Sequence, residues 1–394
     1  MEQAASSTRR ARVAVSAGFY LFGLSFAVWA IHIPAIAQRL ALDPAVLGLA
    51  LLSIGLGGLV GQPITGWLIS RVDSRRASIV LVPLATLIVL LPILAPNLPI
   101  LFVGTFLWGA IGGSANVAIN TQATEVEGAA RKPVMSSFHG FFSLGQLTGA
   151  ALASPIYAFG FADGRGAAAI AILAFIASFA LAPFYLKAAP RPAAKIVERR
   201  GLAFPVAAVV VLSALCFFCD MSEGAVGDWS ALYLATVRHL PDFIASSGYA
   251  AFALVMTAAR FAGGPVVARL GDQRVVLLGG VSIALGIAIV VLSPWPALSP
   301  LGFAVLAAGA ANNYPILISA GSRIPGIAAG TAVTWLATGG LLGFLIGPPI
   351  IGFVAHAMGL AAGVGSLILF GLLVAAGAGA YRWPERSLTE PVRA

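Results

Sequence analysis

The polarity of this chain is segmental. Long apolar stretches follow one another almost from end to end, and polar residues collect in the short connections between them. Cutting at connections marked by charge, Pro or Gly predicts twelve helices, over 13–37, 46–70, 77–95, 99–123, 134–159, 166–187, 203–234, 246–268, 275–293, 299–321, 328–356 and 360–382. A hydrocarbon core about 30 Å thick needs roughly 20 apolar residues per helix, and these runs supply them. Membrane β-strands would instead alternate over about ten residues, and these runs are too long and unbroken for that. The 45 Gly and 24 Pro would break a soluble bundle, but membrane helices tolerate both and use Gly to pack closely.

Composition points the same way. Only 9% of the 394 residues are charged and 59% are hydrophobic, with mean hydropathy +0.97, too little charge for an exterior that faces water. The net charge of +9 is spread over short loops instead of one patch, which argues against nucleic-acid binding. Nineteen Lys and Arg fall on the side of the termini, against three on the opposite side, Arg39, Arg165 and Arg238. With an even number of spans, the positive-inside rule then predicts that both termini are cytoplasmic. Arg9, Arg10 and Arg12 ahead of an apolar stretch imitate a signal peptide, but the stretch reaches about Ile36 and reads as helix 1. Cys216 and Cys219 lie inside an apolar run, where they read as packing residues and not as a disulfide framework.

The chain also repeats itself. A Lys/Arg/Pro/Ala-rich segment at 188–202 separates an N-terminal six-helix half, 1–187, from a C-terminal one, 203–394. At an offset of 198, Gly66, Arg71 and Arg76 fall on Gly264, Arg269 and Arg274, while Gly128, Gly145 and Gly149 fall on Gly326, Gly343 and Gly347. Several matches at one offset suggest duplication. Parallel six-helix halves are a transporter architecture, with the solute site near the midplane between them.

The 2–3 loop, Gly66-Trp-Leu-Ile-Ser-Arg71-Val-Asp-Ser-Arg-Arg76, resembles the signature of the major facilitator superfamily, roughly G-x-L-x-D-R-x-G-R-R, and the 8–9 loop resembles its weaker second copy. Ser70 stands where that family often has Asp, and Asp73 where it often has Gly. Asn116-Val-Ala-Ile-Asn120, Ser137-Phe-His139-Gly-Phe-Phe-Ser-Leu-Gly145 and Glu223-Gly-Ala-Val-Gly-Asp228-Trp229 look similar to a bacterial subgroup loosely akin to fucose-permease-like members. The resemblance implies helices 1, 4, 7 and 10 around a central cavity. It also implies an inner latch in the outward-open state between Glu125 and Glu127 and the loop residues Arg71, Arg75 and Arg76. In the second half Arg323 takes the place of Glu125, and Asp272 joins Arg269 and Arg274. Proton-driven drug exporters of the family commonly carry an Arg four residues before a helix-4 Gly, where this chain has Thr105 before Gly109. Their helix-5 Gly-Pro element is replaced here by Gly149-Ala150.

Helix 7 carries the clearest chemistry. Asp220, Glu223 and Asp228 are the acids that fall inside a predicted span, where an ionisable group costs about 2.5–3.5 kcal/mol on insertion scales and usually faces a cavity or a partner. Asp220 and Glu223, three apart, share a face. Two carboxylates that close do not both ionise easily, which leaves one able to exchange a proton. The alternative is that one only hydrogen-bonds a neighbouring helix. His139, at the inner start of helix 5, is a second candidate for proton coupling, because imidazole titrates near neutrality; more commonly such a residue bonds a neighbour. For the solute, helix 4 offers Asn116 and Asn120 on one face, helix 10 offers Asn312, Asn313 and Tyr314, and helix 1 offers Trp29 and His32. Asp228 and Trp229 lie near the outer end of helix 7 as interfacial or gate residues. Each Asn has the competing reading of an interhelical hydrogen bond worth about 0.6 kcal/mol. Arg260, the single basic residue well inside a span, is expected to snorkel or pair near the inner gate, with a direct pair to Asp220 doubtful by depth.

The expectation is therefore an all-α, multi-pass protein of the bacterial inner membrane with twelve transmembrane helices in two pseudo-symmetric bundles. It is expected to be a monomer and a secondary active transporter that moves a small, polar, sugar-like or otherwise neutral solute by alternating access, coupled to protons as a symporter. No cofactor, metal or enzymatic site is expected. The competing expectations are a proton-driven efflux antiporter for amphipathic compounds and a membrane sensor on a transporter scaffold.

Overall fold

The computed structural model describes residues 2–130, 134–161, 164–187, 207–321, 323–324, 327 and 329–383, so the expected linker at 188–202 lies outside the described residues. Among these residues there is no strand. Twelve long helices follow one another among the described residues, beside a single turn at Asp242–Ala245: α1 Glu2–Arg39, α2 Pro44–Val72, α3 Ser74–Ile88 with a further turn at Leu90–Ile93, α4 Leu98–Ala130, α5 Met135–Ala158 and α6 Arg165–Leu181. The second six are α7 Ala207–Thr236, α8 Ser247–Leu270, α9 Asp272–Leu292, α10 in two pieces, Ser299–Ala310 and Asn313–Gly321, α11 Ala329–Met358 and α12 Leu360–Ala380. Eleven described segments are long and apolar enough to cross a membrane, and α5, with 24 residues, is the twelfth long helix.

Two differences from the hydropathy pattern have local causes. α1 and α4 run past the apolar stretches, through Arg9 to Arg12 and through Gln122 to Ala130, because Ala, Arg, Gln and Glu favour helix and nothing there breaks it. α10 is interrupted at Ala311 and Asn312. Asn312 donates from Nδ2 to the carbonyl of Ala259 in α8 at 3.1 Å, which ties the interruption to a neighbouring helix. Irregular backbone at membrane depth is stable only where protein or a cavity satisfies it.

The packing scheme of the first six helices recurs in the second six. α1 packs on α5, α2 on α4, and α3 on α4 and α6; correspondingly α7 packs on α11, α8 on α10, and α9 on α10 and α12. The glycines in register explain part of this. A side chain at Gly145 of α5 would strike the backbone of Tyr20 in α1, and one at Gly343 of α11 would strike the backbone of Phe217 in α7. The two halves then meet along three seams, α2 with α11, α5 with α8, and α1 with α7.

The signature loops repeat at the level of single dihedrals. Asp73 has φ 86° and ψ 154°, and Gly271, its counterpart at offset 198, has φ 78° and ψ 162°. Each donates its N–H to the carbonyl four residues earlier, Ile69 or Val267, so each ends one helix and begins the next. This region belongs almost entirely to glycine. Asp73 offsets its strain by accepting from the Arg76 N–H at 2.8 Å as an N-cap.

Two of the three basic residues on the face away from the termini also find matching roles. Arg39 donates to the carbonyls of Ile93 and Ala95 at 2.6 and 3.1 Å, beyond the end of α3. Arg238 donates to Ser293 at 2.6 Å, beyond the end of α9. Each arginine satisfies orphan carbonyls at a helix C-terminus, where positive charge is favoured.

Gly271→Ala should therefore lower stability by about 1–2 kcal/mol in thermal unfolding, while Asp73→Gly should be neutral or stabilising. Equal losses at the two positions would contradict the shared backbone requirement.

Candidate functional site

The polar residues of α7 gather side chains from three other helices. Asp220 is buried, and its Oδ2 lies where a side chain on Gly340 of α11 would sit, beside the ring of Tyr314 from the second piece of α10. Only a glycine leaves room for that carboxylate. One turn on, Glu223 accepts from Arg260 of α8 through Oε1 at 2.8 Å. The pair is accessible, with side chains 25% and 39% exposed, respectively. From the other half, His139 of α5 lies within electrostatic reach of Arg260 and packs edge-on against Phe19, ring centroids 5.2 Å apart. Nearer the face away from the termini, Tyr249 of α8 is buried, hydrogen-bonds Gln146 of α5 and feels the charge of Asp228.

Arg260 makes its pair with Glu223 and not with Asp220, the partner that the depth argument from sequence had made doubtful. By helical rise, Glu223 stands about 24 Å from the first described residue of α7, and Arg260 about 15 Å from the last residue of α8. Two long side chains reaching toward each other close that gap. Arg260 thus takes the paired alternative, reaching Glu223 of α7.

α4 presents a polar stripe. Asn116 and Thr124 are exposed and Asn120 lies between them at the same helical spacing. Asn120 donates from Nδ2 to the Asn116 carbonyl at 2.9 Å and to its Oδ1 at 3.2 Å, so the two amides act as one unit. The opposite faces of α4 pack on α2 and α3. Thr105, in the place of the exporters' Arg, is buried in the α2 contact, where it meets the Ser53 hydroxyl at 2.5 Å.

Other candidates sit in packed regions. Trp29 is buried against Trp108, centroids 5.3 Å apart, and Trp229 is also buried. His32 is buried and donates from Nδ1 to the Val28 carbonyl at 2.7 Å. Asn313 is buried between Gly279 of α9 and Cys219 of α7, and Asn312 is occupied with Ala259. In this conformation these five support helix contacts. Among the described residues no cluster of His, Cys, Asp and Glu is arranged to hold a metal ion.

The gating candidates find partners within their own halves. Arg71 lies over the Trp67 ring, 4.0 Å from its centroid, Arg75 donates to Ala182 at 3.3 Å, and Arg76 lies 3.6 Å from Asp73. Glu125 accepts from Ser74 at 2.7 Å and Gln122 at 3.0 Å. Glu127 accepts the Val134 and Met135 N–H groups at 2.7 and 2.6 Å, capping α5. In the second half Arg323 pairs with Asp272 at 2.6 Å, while Arg269 and Arg274 are exposed. The contacts that hold Glu125, Glu127 and Arg323 therefore pin loops to helices. Sequence reasoning missed Tyr249, Gln146 and the role of Arg260; the isolation of one arginine inside a span was the available signal.

Comparison with known proteins bears on these observations. The family model described as Major Facilitator Superfamily matches residues 13–326. An uncharacterized MFS-type transporter of Yersinia pestis is 34% identical over 369 residues, covering 93% of this chain and 94% of the relative. Among solved structures, a mutant of the nucleoside transporter NupG superposes with TM-score 0.73 at 13% identity, covering 95% of this chain and 98% of that one. A D-xylose-proton symporter superposes with TM-score 0.72 at 17% identity, covering 93% and 95%.

A double-mutant cycle on Glu223→Gln and Arg260→Gln, read by thermal unfolding, should give a coupling of about 0.5–2 kcal/mol. Strict additivity would mean that the contact carries no energy.

Proposed function

The chain belongs to the major facilitator superfamily, and on that footing we propose that it moves a small, neutral, polar solute by alternating access, in exchange for or together with a proton. The observation that carries this reading is the accessible ion pair Glu223–Arg260 at membrane depth, one helical turn from the buried carboxylate of Asp220. Charge in a membrane helix is expensive and is kept where it serves a pathway. Here the pathway lies between the halves, with the amides Asn116 and Asn120 of α4 on one wall and the charges of α7 and α8 on the other.

The two walls have different work to do. The amide pair offers donors and acceptors in a fixed register, suited to hydroxyl groups of a polyol or nucleoside-like solute. The two solved transporters named above, for nucleosides and for D-xylose with protons, handle solutes of that kind. On the other wall, Glu223 is held by a cation, whereas Asp220 has no ion-pair partner among the described residues. A carboxylate without a cation is costly in this setting and a carboxylic acid is not. Asp220 is therefore the proposed proton carrier, Arg260 holds Glu223 as its fixed counterpart, and His139 connects the cluster to the first half. Solute bound at the amides and a proton bound at Asp220 would together allow the halves to rock.

The arginine-rich face is the proposed cytoplasmic one, with both termini inside and the protein working as a monomer in the inner membrane. In this reading Arg71, Arg75 and Arg76, on either side of the turn between α2 and α3, lie on the cytoplasmic face and would meet the second half when it closes.

In proteoliposomes carrying a pH-sensitive dye, candidate sugars, polyols and nucleosides should be screened for solute-driven proton movement. Asp220→Asn should reduce that movement at least tenfold while leaving solute counterflow intact, and Asn116→Ala should weaken solute affinity about fivefold, the loss of one neutral hydrogen bond. Proton movement unaffected by Asp220→Asn would refute the carrier assignment. Unchanged affinity in Asn116→Ala would remove α4 from the site.

A further inference from the structure

One polar contact joins the two halves far from the charge cluster of α7 and α8. His356, in the last turn of α11, meets Asp43, the residue ahead of α2, with Nδ1 2.6 Å from Oδ2. Asp43 is held in place independently, because its Oδ1 accepts the Ala45 N–H at 2.8 Å as the N-cap of α2. The contact closes the seam between α2 and α11 at the end away from the termini. One turn before His356, Gly352 packs against Pro44 and Gly48, and Gly48 packs against Pro348. Backbones this close leave no space along the α2–α11 seam at that end, although a cavity of about 430 Å³ remains beside it between α1 and α7, lined by Pro34, Pro44, Leu232 and Leu360. Arg260, Asn116 and Thr124 are exposed deeper in the molecule.

We propose that Asp43 and His356 form a pH-sensitive latch that holds the face away from the termini closed. A protonated imidazole makes an ion pair with the carboxylate; a neutral one makes only a hydrogen bond. The His356 hydrogen bond and the Ala45 N–H keep the Asp43 carboxyl below its ordinary range. A depressed carboxylate favours the latched state above the ordinary aspartate range, near pH 4, and loses that effect as pH falls further. Histidine is charged below its ordinary value of about 6.5. The latch is therefore an ion pair while the imidazole carries its proton and falls back to a hydrogen bond when the imidazole is neutral.

Among the described residues no other charged side chain pairs with either group. α2 has no ionisable residue between Pro44 and Arg71, and α12 has none between Leu360 and Ala380. Arg39, on the loop side of Asp43, is engaged with Ile93 and Ala95. At the end of α7, Arg238 is engaged with Ser293, and His239 follows it in the loop. Both latch side chains face solvent, His356 60% and Asp43 41% exposed, so the proton on that face of the membrane has direct access. Acidity outside would thus favour the conformation open toward the termini, independently of the proton site at Asp220.

The proposal rests on the alternating-access reading above, and the experiment separates the two. Spin labels at Phe159→Cys and Trp295→Cys, both well exposed on the latch face and one in each half, report the distance between the halves there. The background replaces the two buried cysteines, Cys216 and Cys219. Double electron–electron resonance at pH 5.5 and pH 8 should show two distance populations, with the short one enriched two- to fivefold at pH 5.5, the scale of an exposed ion pair. His356→Gln and Asp43→Asn should each abolish that enrichment, and exchanging the two residues, Asp43→His with His356→Asp, should restore it. Two populations whose ratio keeps its pH dependence in His356→Gln would overturn the latch and leave alternating access standing. A single population at both pH values in every protein would overturn both.

Discussion

A polar group left without a partner in hydrocarbon costs several kcal/mol, and most of this molecule is organised around avoiding that cost. Thr121, Thr148, Ser178, Ser222, Thr236 and Thr257 each return their hydroxyl to a carbonyl four residues back in the same helix. Arg39 and Arg238 reach the carbonyls that α3 and α9 leave open at their ends. Asn312 joins the interruption of α10 to α8. Where full charges enter the membrane they are answered by charge, as Glu223 is by Arg260. Asp220 and Asp228 make no ion pair among the described residues, and of the two Asp220 is the buried one, with Arg260 only within electrostatic reach; it is the proposed place of the proton.

The same constraint separates what the halves share from what they do not. Gly145 and Gly343, or Asp73 and Gly271, answer demands of backbone geometry that both halves face, so they recur at one offset. The ionisable side chains at membrane depth do not recur. α7 and α8 carry Glu223, Asp220 and Arg260, whereas α4 carries the linked amides Asn116 and Asn120. A duplicated frame with one charged wall and one neutral wall is suited to binding a proton and an uncharged solute at separate places while closing over both.

Much of the frame was legible in the sequence because hydropathy and glycine spacing act over short distances along the chain. The twelve spans, the repeat offset and the acids of α7 all come from local pattern. The partners of those acids do not. Arg260 is 37 residues from Glu223, and the depth comparison made along the chain was with Asp220, so the partner one turn away went unread. Asp43 and His356 lie 313 residues apart and meet only because α2 packs on α11. Trp29, His32 and Trp229 have the chemistry of solute ligands but are buried by their neighbours, a distinction that residue type cannot make.

The account depends most on α4 and α7 facing one aqueous pathway between the halves. Thiol accessibility tests that directly, with single cysteines at Asn116 and Glu223 in a background lacking Cys216 and Cys219, and a membrane-impermeant maleimide applied to sealed vesicles of each orientation. The expected result is that both positions react when the arginine-rich face is accessible, react far more slowly from the other face, and are protected by a transported solute. Failure of either position to react from the arginine-rich face, while an exposed loop cysteine on that face does, would contradict a shared pathway.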